Sequence, residues 1–158
     1  MSEKAFQDYY PDQLSYCYGC GRLNATGLQI KSYWQGDETV CRYRPRPDHI
    51  AIPGYVYGGL IASLIDCHGT GTAAAAAYRA EGRSMDSEPP RRFVTAALPG
   101  HSRRPTPLDA ELELRGRVKQ LKGRKVVIAI TLSAKGELCA RGEVVCVQMP
   151  DSFLSNPV

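Results

Sequence analysis

A chain of 158 residues with 43% hydrophobic and 23% charged side chains suits one globular domain with a real core. No apolar run is long enough to span a bilayer, and the opening MSEKAFQDYY lacks the apolar stretch of a secretory signal, so a cytoplasmic protein with no membrane partner is expected. Net charge is +4 but uneven: residues 101–125 hold eight Lys and Arg against three acids, with no aromatic residue among them. That excludes the usual nucleic-acid pattern and leaves a solvated strand face or a site for a phosphate-bearing small molecule.

The six cysteines are too sparse for a disulfide scaffold and are expected as reduced thiols. Residues 1–26 read as an irregular lead-in containing Cys17-Tyr-Gly-Cys20. That spacing suits a zinc knuckle, but no second pair of ligands follows. Buried thiols around a tight turn, with no metal, are the expectation. Residues 27–35 and 38–44 read as two strands joined at Gly36-Asp37, and residues 44–53 as a proline-containing connection.

A segment from Gly59 to Arg79 then stands out, apolar or small on nearly every side, as a buried helix would be. Asp66 does not fit that environment. Gly59, Ser63, Asp66 and Thr70 recur at helical spacing and form its one polar stripe. A carboxylate among apolar residues is costly unless paired, hydrated or used. Gly58-Gly59 at the helix start offers unpaired N–H groups and the positive end of the helix dipole. His68 falls about opposite Asp66 and reads as a packed or interface residue.

After a loop over residues 80–90 come long strands at 92–104, broken by Pro99-Gly100, and at 109–121, 126–132 and 137–149. Strands of this length curl, and the helix is the one element available to curl around. The fold class expected is α+β: a long central helix wrapped by a curved antiparallel sheet of five or six strands, with a weakly ordered tail over residues 150–158.

The order of these elements is that of the hotdog fold. YGGLIASLID resembles the HGGxxxxxxD signature of hotdog acyl-CoA thioesterases of the phenylacetate-pathway type, with Tyr57 where the family usually has histidine. FVTAALPGHSRRPTPLDAELELRG, GELCARGEVVCV and CYGCGRLNATGLQI resemble further parts of that family, over about residues 17–149. The resemblance implies a hotdog domain over residues 27–149 and hydrolysis of an acyl-coenzyme A without a cofactor. It implies that the Gly58 or Gly59 N–H polarises the thioester carbonyl. Asp66, reaching across from the partner subunit, would be nucleophile or base, and Thr95 would hold the attacking water. It also implies a homo-oligomer, dimer or tetramer, with the substrate channel between subunits. Tyr57 and Ser63 are expected to line the site, and Arg103, Arg104, Lys122 and Arg124 to meet coenzyme A phosphates.

Nothing here requires a serine triad: there is no GxSxG elbow and the three histidines are far apart in sequence. Two rival readings stand beside hydrolysis. One is a non-catalytic acyl-CoA or lipid-binding hotdog protein, suggested by Tyr57. The other is a hotdog lyase for enoyl or hydroxyacyl thioesters, with His49 as its candidate base.

Overall fold

The computed structural model describes residues 3–155. One helix, α1 (Gly58–Ala80), carries β-strands on both sides of it in sequence: β1 (Tyr33–Gln35), β2 (Glu38–Tyr43), β3 (Phe93–Ala97), β4 (Gly100–Ser102), β5 (Leu112–Lys122), β6 (Lys125–Ala134) and β7 (Glu137–Gln148). The seven form one sheet in the order β1-β2-β5-β6-β7-β3, with β4 also pairing β7, and every pairing is antiparallel. This is the expected hotdog architecture with more strands than the five or six anticipated. The seventh comes from one expected strand that splits in two. Pro99-Gly100 divides the expected strand over residues 92–104 into β3 and β4, since proline supplies no N–H to continue the ladder.

The expected strand over residues 27–35 shrinks to β1, for a specific reason. The N–H groups of Leu28 and Ile30 are taken by the carbonyls of Tyr18 and Gly19, 2.7 and 2.9 Å away, so this stretch closes the Cys17–Cys20 loop instead of joining the sheet. Gln29 between them sits at φ +57°, which no regular strand allows. The lead-in contains two short 3-10 turns, Phe6–Tyr9 and Asp12–Leu14, and buries Phe6 and Gln7. Phe6 N–H donates to Ser32 O at 2.9 Å, tying this segment to the strand side of the fold. Of the expected tail, Asp151–Ser155 makes a 3-10 turn, and its last three positions lie outside the described residues.

The concave face of the sheet closes on α1. Leu60 and Leu64 from the helix, Leu112 and Leu114 from β5, Ile128, Ile130 and Leu132 from β6 and Val144 from β7 are all essentially inaccessible. Full burial of such a side chain is worth about 1.5–3 kcal/mol. The helix sits close enough that a Cβ at Gly69 would lie 2.5 Å from Val144 Cγ2. His68, as expected, is packed rather than exposed. Its Nδ1 meets Ser32 Oγ at 2.9 Å and its Nε2 meets Thr39 Oγ1 at 3.2 Å, and Thr39 Oγ1 lies 2.7 Å from Thr72 Oγ1. Burial pushes its pKa down to about 3.

Candidate active site

The helix begins without a side-chain cap: Tyr57 occupies the N-cap position and its own N–H donates to His49 O at 3.0 Å. Leu60 N–H turns back to Tyr57 O at 3.2 Å, while no acceptor takes the N–H of Gly58 or Gly59 among the described residues. Both glycines are exposed. A Cβ at Gly58 would meet nothing within 4 Å, whereas one at Gly59 would run into Tyr57 Cε2. The Tyr57 ring therefore lies across Gly59 and leaves Gly58 open. Gly58, Ile61, Ala62 and Ile65 line one wall of a groove of about 210 Å³, with residues 98–102 and 140–142 as the other. Two free N–H groups at the positive end of a 23-residue helix can donate to a negatively charged oxygen.

Further along, Thr95 on β3 donates its hydroxyl hydrogen bond to Asp66 Oδ1. Thr95 is exposed and Asp66 half-buried, so the pair faces outward at the rim of the helix–sheet layer. The stripe that the sequence marks as polar is thus the stripe that the sheet leaves partly uncovered: Gly59 is exposed, and Ser63, Asp66 and Thr70 are half-buried. Ser63 and Thr70 spend their hydroxyls on the helix itself, Ser63 on Gly59 O at 2.8 Å and Thr70 on Asp66 O at 3.2 Å. Eight residues of α-helix, about 12 Å of rise, separate Gly58 from Asp66. One thioester carbonyl cannot touch both groups of the same chain.

The four basic residues are not gathered at one place. Arg103 N–H bonds Cys139 O at 2.7 Å and Arg104 pairs with Glu137, near the start of β7. Arg124 bonds Gln148 O at 3.0 Å, at the far end of the same strand, and Lys122 closes the β5–β6 turn beside it. Thr95 lies opposite Cys146, two residues from Gln148. Within a single chain, Lys122 and Arg124 therefore belong to the Asp66–Thr95 end, and Arg103 and Arg104 to the Gly58 end.

Sequence matching between this chain and known proteins gives a consistent result. The profile of the thioesterase superfamily matches residues 53–140, which span the glycines, all of α1, Thr95, β5, β6 and the start of β7. A thioesterase superfamily protein from Shewanella loihica PV-4 is 49% identical over 89% of this chain and all of its own, with a TM-score of 0.68. This chain belongs to the thioesterase superfamily. Two more distant structures share the fold: a thioesterase from Haemophilus influenzae, 16% identical over 87% of each chain at a TM-score of 0.66, and a protein from Thermus thermophilus, 22% identical over 77% of this chain and 93% of its own at 0.59. No curated protein matches. Membership of the superfamily points to thioester hydrolysis in general and to a small-molecule thioester as substrate. No helix among the described residues of this thioesterase-superfamily chain is long and apolar enough to cross a membrane.

Two features near the candidate site were not brought into it by the hydrolytic reading of the sequence. His49 is buried directly behind Tyr57, their ring centroids 6.3 Å apart, and it receives the Arg46 N–H on Nδ1 at 3.0 Å. Its Nε2 has no partner among the described residues. Burial, and next the Arg46 charge, push its pKa below the ordinary histidine range. The second feature is a third cysteine. Cys67, beside Asp66 on α1, comes up against Cys17 and Cys20 of the lead-in loop. Of the two loop thiols expected to be buried, Cys20 is buried but Cys17 is exposed; the helix thiol of Cys67 is buried as well.

Proposed function

We propose that this chain hydrolyses an acyl-coenzyme A to the free acid and coenzyme A, at a site completed by two copies of the chain. The observation that carries the reading is the Asp66–Thr95 pair, half open at the rim and about 12 Å along the helix from the free N–H groups of Gly58 and Gly59. A second copy docked along the free edge of β3 brings its own helix N-terminus toward Asp66 of the first. Such a dimer has two equivalent sites, and a tetramer would add a further pairing of dimers. The phenylacetate-pathway type of hotdog thioesterase is the branch favoured, with Tyr57 in the histidine position.

In this reading the thioester carbonyl oxygen accepts hydrogen bonds from the Gly58 end of one subunit, which favours the negative charge that develops there. Asp66 of the other subunit acts either by taking a proton from water as it adds to the carbonyl carbon, or by adding itself to give an anhydride that water then opens. Thr95, hydrogen-bonded to Asp66, holds the carboxylate and the water in register. The carbon–sulfur bond breaks, the sulfur leaves as the coenzyme A thiolate and takes up a proton, and the acid is released. Tyr57, Ser63 and the groove beside Gly58 line the acyl path. Lys122, Arg124, Arg103 and Arg104 are the cations offered to the coenzyme A phosphates, from one subunit or from both. The reaction needs no cofactor and fits a cytoplasmic enzyme.

The test is a panel of short, medium, long and aromatic acyl-CoAs assayed for thiol release. Turnover of at least one class, lost with Asp66→Asn, supports hydrolysis. Saturable binding of the whole panel without thiol release would favour a non-catalytic acyl-CoA-binding protein. A lyase at His49 is the third reading, favoured by the unpartnered Nε2; it requires hydration or dehydration of enoyl thioesters that survives Asp66→Asn and disappears with His49→Ala.

A further inference from the structure

Three sulfurs that the hydrolytic reading does not use converge on the other side of the Asp66 turn. The Sγ atoms of Cys17, Cys20 and Cys67 all lie within 4.8 Å of one another, with Cys17 and Cys67 3.9 Å apart. A tetrahedron with zinc–sulfur bonds of about 2.3 Å has sulfur–sulfur edges of about 3.8 Å, whereas a disulfide brings its sulfurs to about 2.05 Å. The observed spacing is that of ligands around a shared centre, wide of a bond.

The backbone holds these sulfurs in place. Gly21 N–H closes the loop onto Cys17 O at 2.8 Å, and the Leu28 and Ile30 N–H groups pin Tyr18 and Gly19 from behind. A Cβ at Gly19 would run into Cys67 Sγ, so glycine between the two loop cysteines is what admits the helix sulfur. A side chain at Gly21 would run into Ser15 O and the Cys17 backbone, so the turn that presents both loop sulfurs requires glycine there too. Cys20 and Cys67 are buried and Cys17 is exposed, which leaves one side of the cluster open to solvent. That opening serves as an access path for a cation and as the place for a solvent ligand in the fourth position.

We propose that Cys17, Cys20 and Cys67 form a three-thiolate site for a thiophilic divalent cation, Zn²⁺, that staples the N-terminal loop to α1 one residue from Asp66. C-x2-C is the spacing at which two cysteines share one zinc, and thiolates select such a cation over magnesium or calcium. Binding exchanges three S–H bonds for three zinc–sulfur bonds and releases three protons, with no change of oxidation state. The zinc is structural and takes no part in hydrolysis. The inference is independent of the thioesterase reading.

The experiment uses the full chain, purified under reducing conditions, loaded with Zn²⁺ and dialysed exhaustively against metal-free buffer, with metal measured by plasma mass spectrometry and free thiols by colorimetric titration. One zinc per chain is expected. The exposed-position variant Cys17→Ser and the helix variant Cys67→Ser should lose it, while Cys41→Ser and Asp66→Asn keep it. Cobalt loading of the wild type should give thiolate-to-metal charge-transfer absorption that Cys17→Ser lacks. If Cys67→Ser does not fold, Cys17→Ser decides, with circular dichroism as the check on its fold. Zinc no higher in the wild type than in Cys17→Ser, or cobalt bound without thiolate absorption, overturns the proposal. So does a loss of two titratable thiols on air exposure, recovered with reductant, in protein that retains no zinc: that result would make the cluster a redox pair.

Discussion

Asp66 was legible from sequence because its neighbours on the helix are apolar, and a lone carboxylate in that setting demands an explanation. Its partner was not legible from the residues themselves. Thr95 lies 29 positions away on β3, and only the family resemblance singled it out. Asp66→Asn keeps the shape and removes the charge, so thiol release should fall at least about a hundredfold, as loss of a general base does. Binding of acyl-CoA should persist, and thermal stability should hold or rise slightly. Thr95→Ala should lower turnover less, because the carboxylate survives and only its orientation loosens. Steady-state thiol release and a thermal melt on the same preparations check both; unfolding of Asp66→Asn with an unaffected Thr95→Ala would make the acid a structural one.

His68 gives a second prediction at this scale. It is fully buried and burial holds its pKa at about 3, while in the unfolded chain it titrates near the ordinary 6.5. Between those values the unfolded state takes up a proton that the native state refuses. This residue's contribution to stability is therefore complete above about pH 6.5 and falls with decreasing pH by about 1.4 kcal/mol per unit. Urea unfolding at pH 7 and pH 4.5 should show His68→Gln losing less stability on acidification than the wild type. An equal loss in both would mean that His68 is not the group responsible.

At the scale of elements, the long strands were readable because alternation persists over many positions, and α1 because it is apolar or small on nearly every side except for one polar stripe at helical spacing. Residues 27–32 misled because Leu28 and Ile30 look like strand residues. Their N–H groups serve the cysteine loop instead, and propensity carries no information about which acceptor an N–H finds. The third cysteine was invisible for a related reason: Cys67 lies on α1, and only tertiary packing sets it against the lead-in. The start of α1 offers a clean substitution. Gly58 is the first helical residue, where proline is tolerated, and its surroundings are open. Gly58→Pro should leave the helix intact and delete one N–H donor, lowering kcat by about 10²–10³-fold, the effect of losing one oxyanion donor. Circular dichroism and kinetics together test this; unchanged kcat with unchanged helicity would remove Gly58 from the oxyanion role.

For the whole molecule, the sequence implied two chains per site only through the family resemblance, and the shared site proposed above rests on one separation along α1. Asp66 and Gly58 are fixed about 12 Å apart by the rise of a single rigid helix. In the proposed dimer, the second copy would approach Asp66 past Thr95, which is exposed on the sheet-edge strand β3. Sedimentation should find at least a dimer, and a stable, active monomer would count heavily against the account. The most direct measurement mixes two dead subunits. Gly58→Pro and Asp66→Asn chains, carrying different tags, are co-expressed and the mixed dimer is isolated by tandem purification. If each site takes its helix N-terminus from one chain and its carboxylate from the other, one site of the mixed dimer combines two damaged halves and the other combines two intact ones. The mixed dimer should then recover about half of the wild-type thiol release per dimer, although each parent has lost at least about a hundredfold. A mixed dimer as inactive as its parents would contradict the shared site.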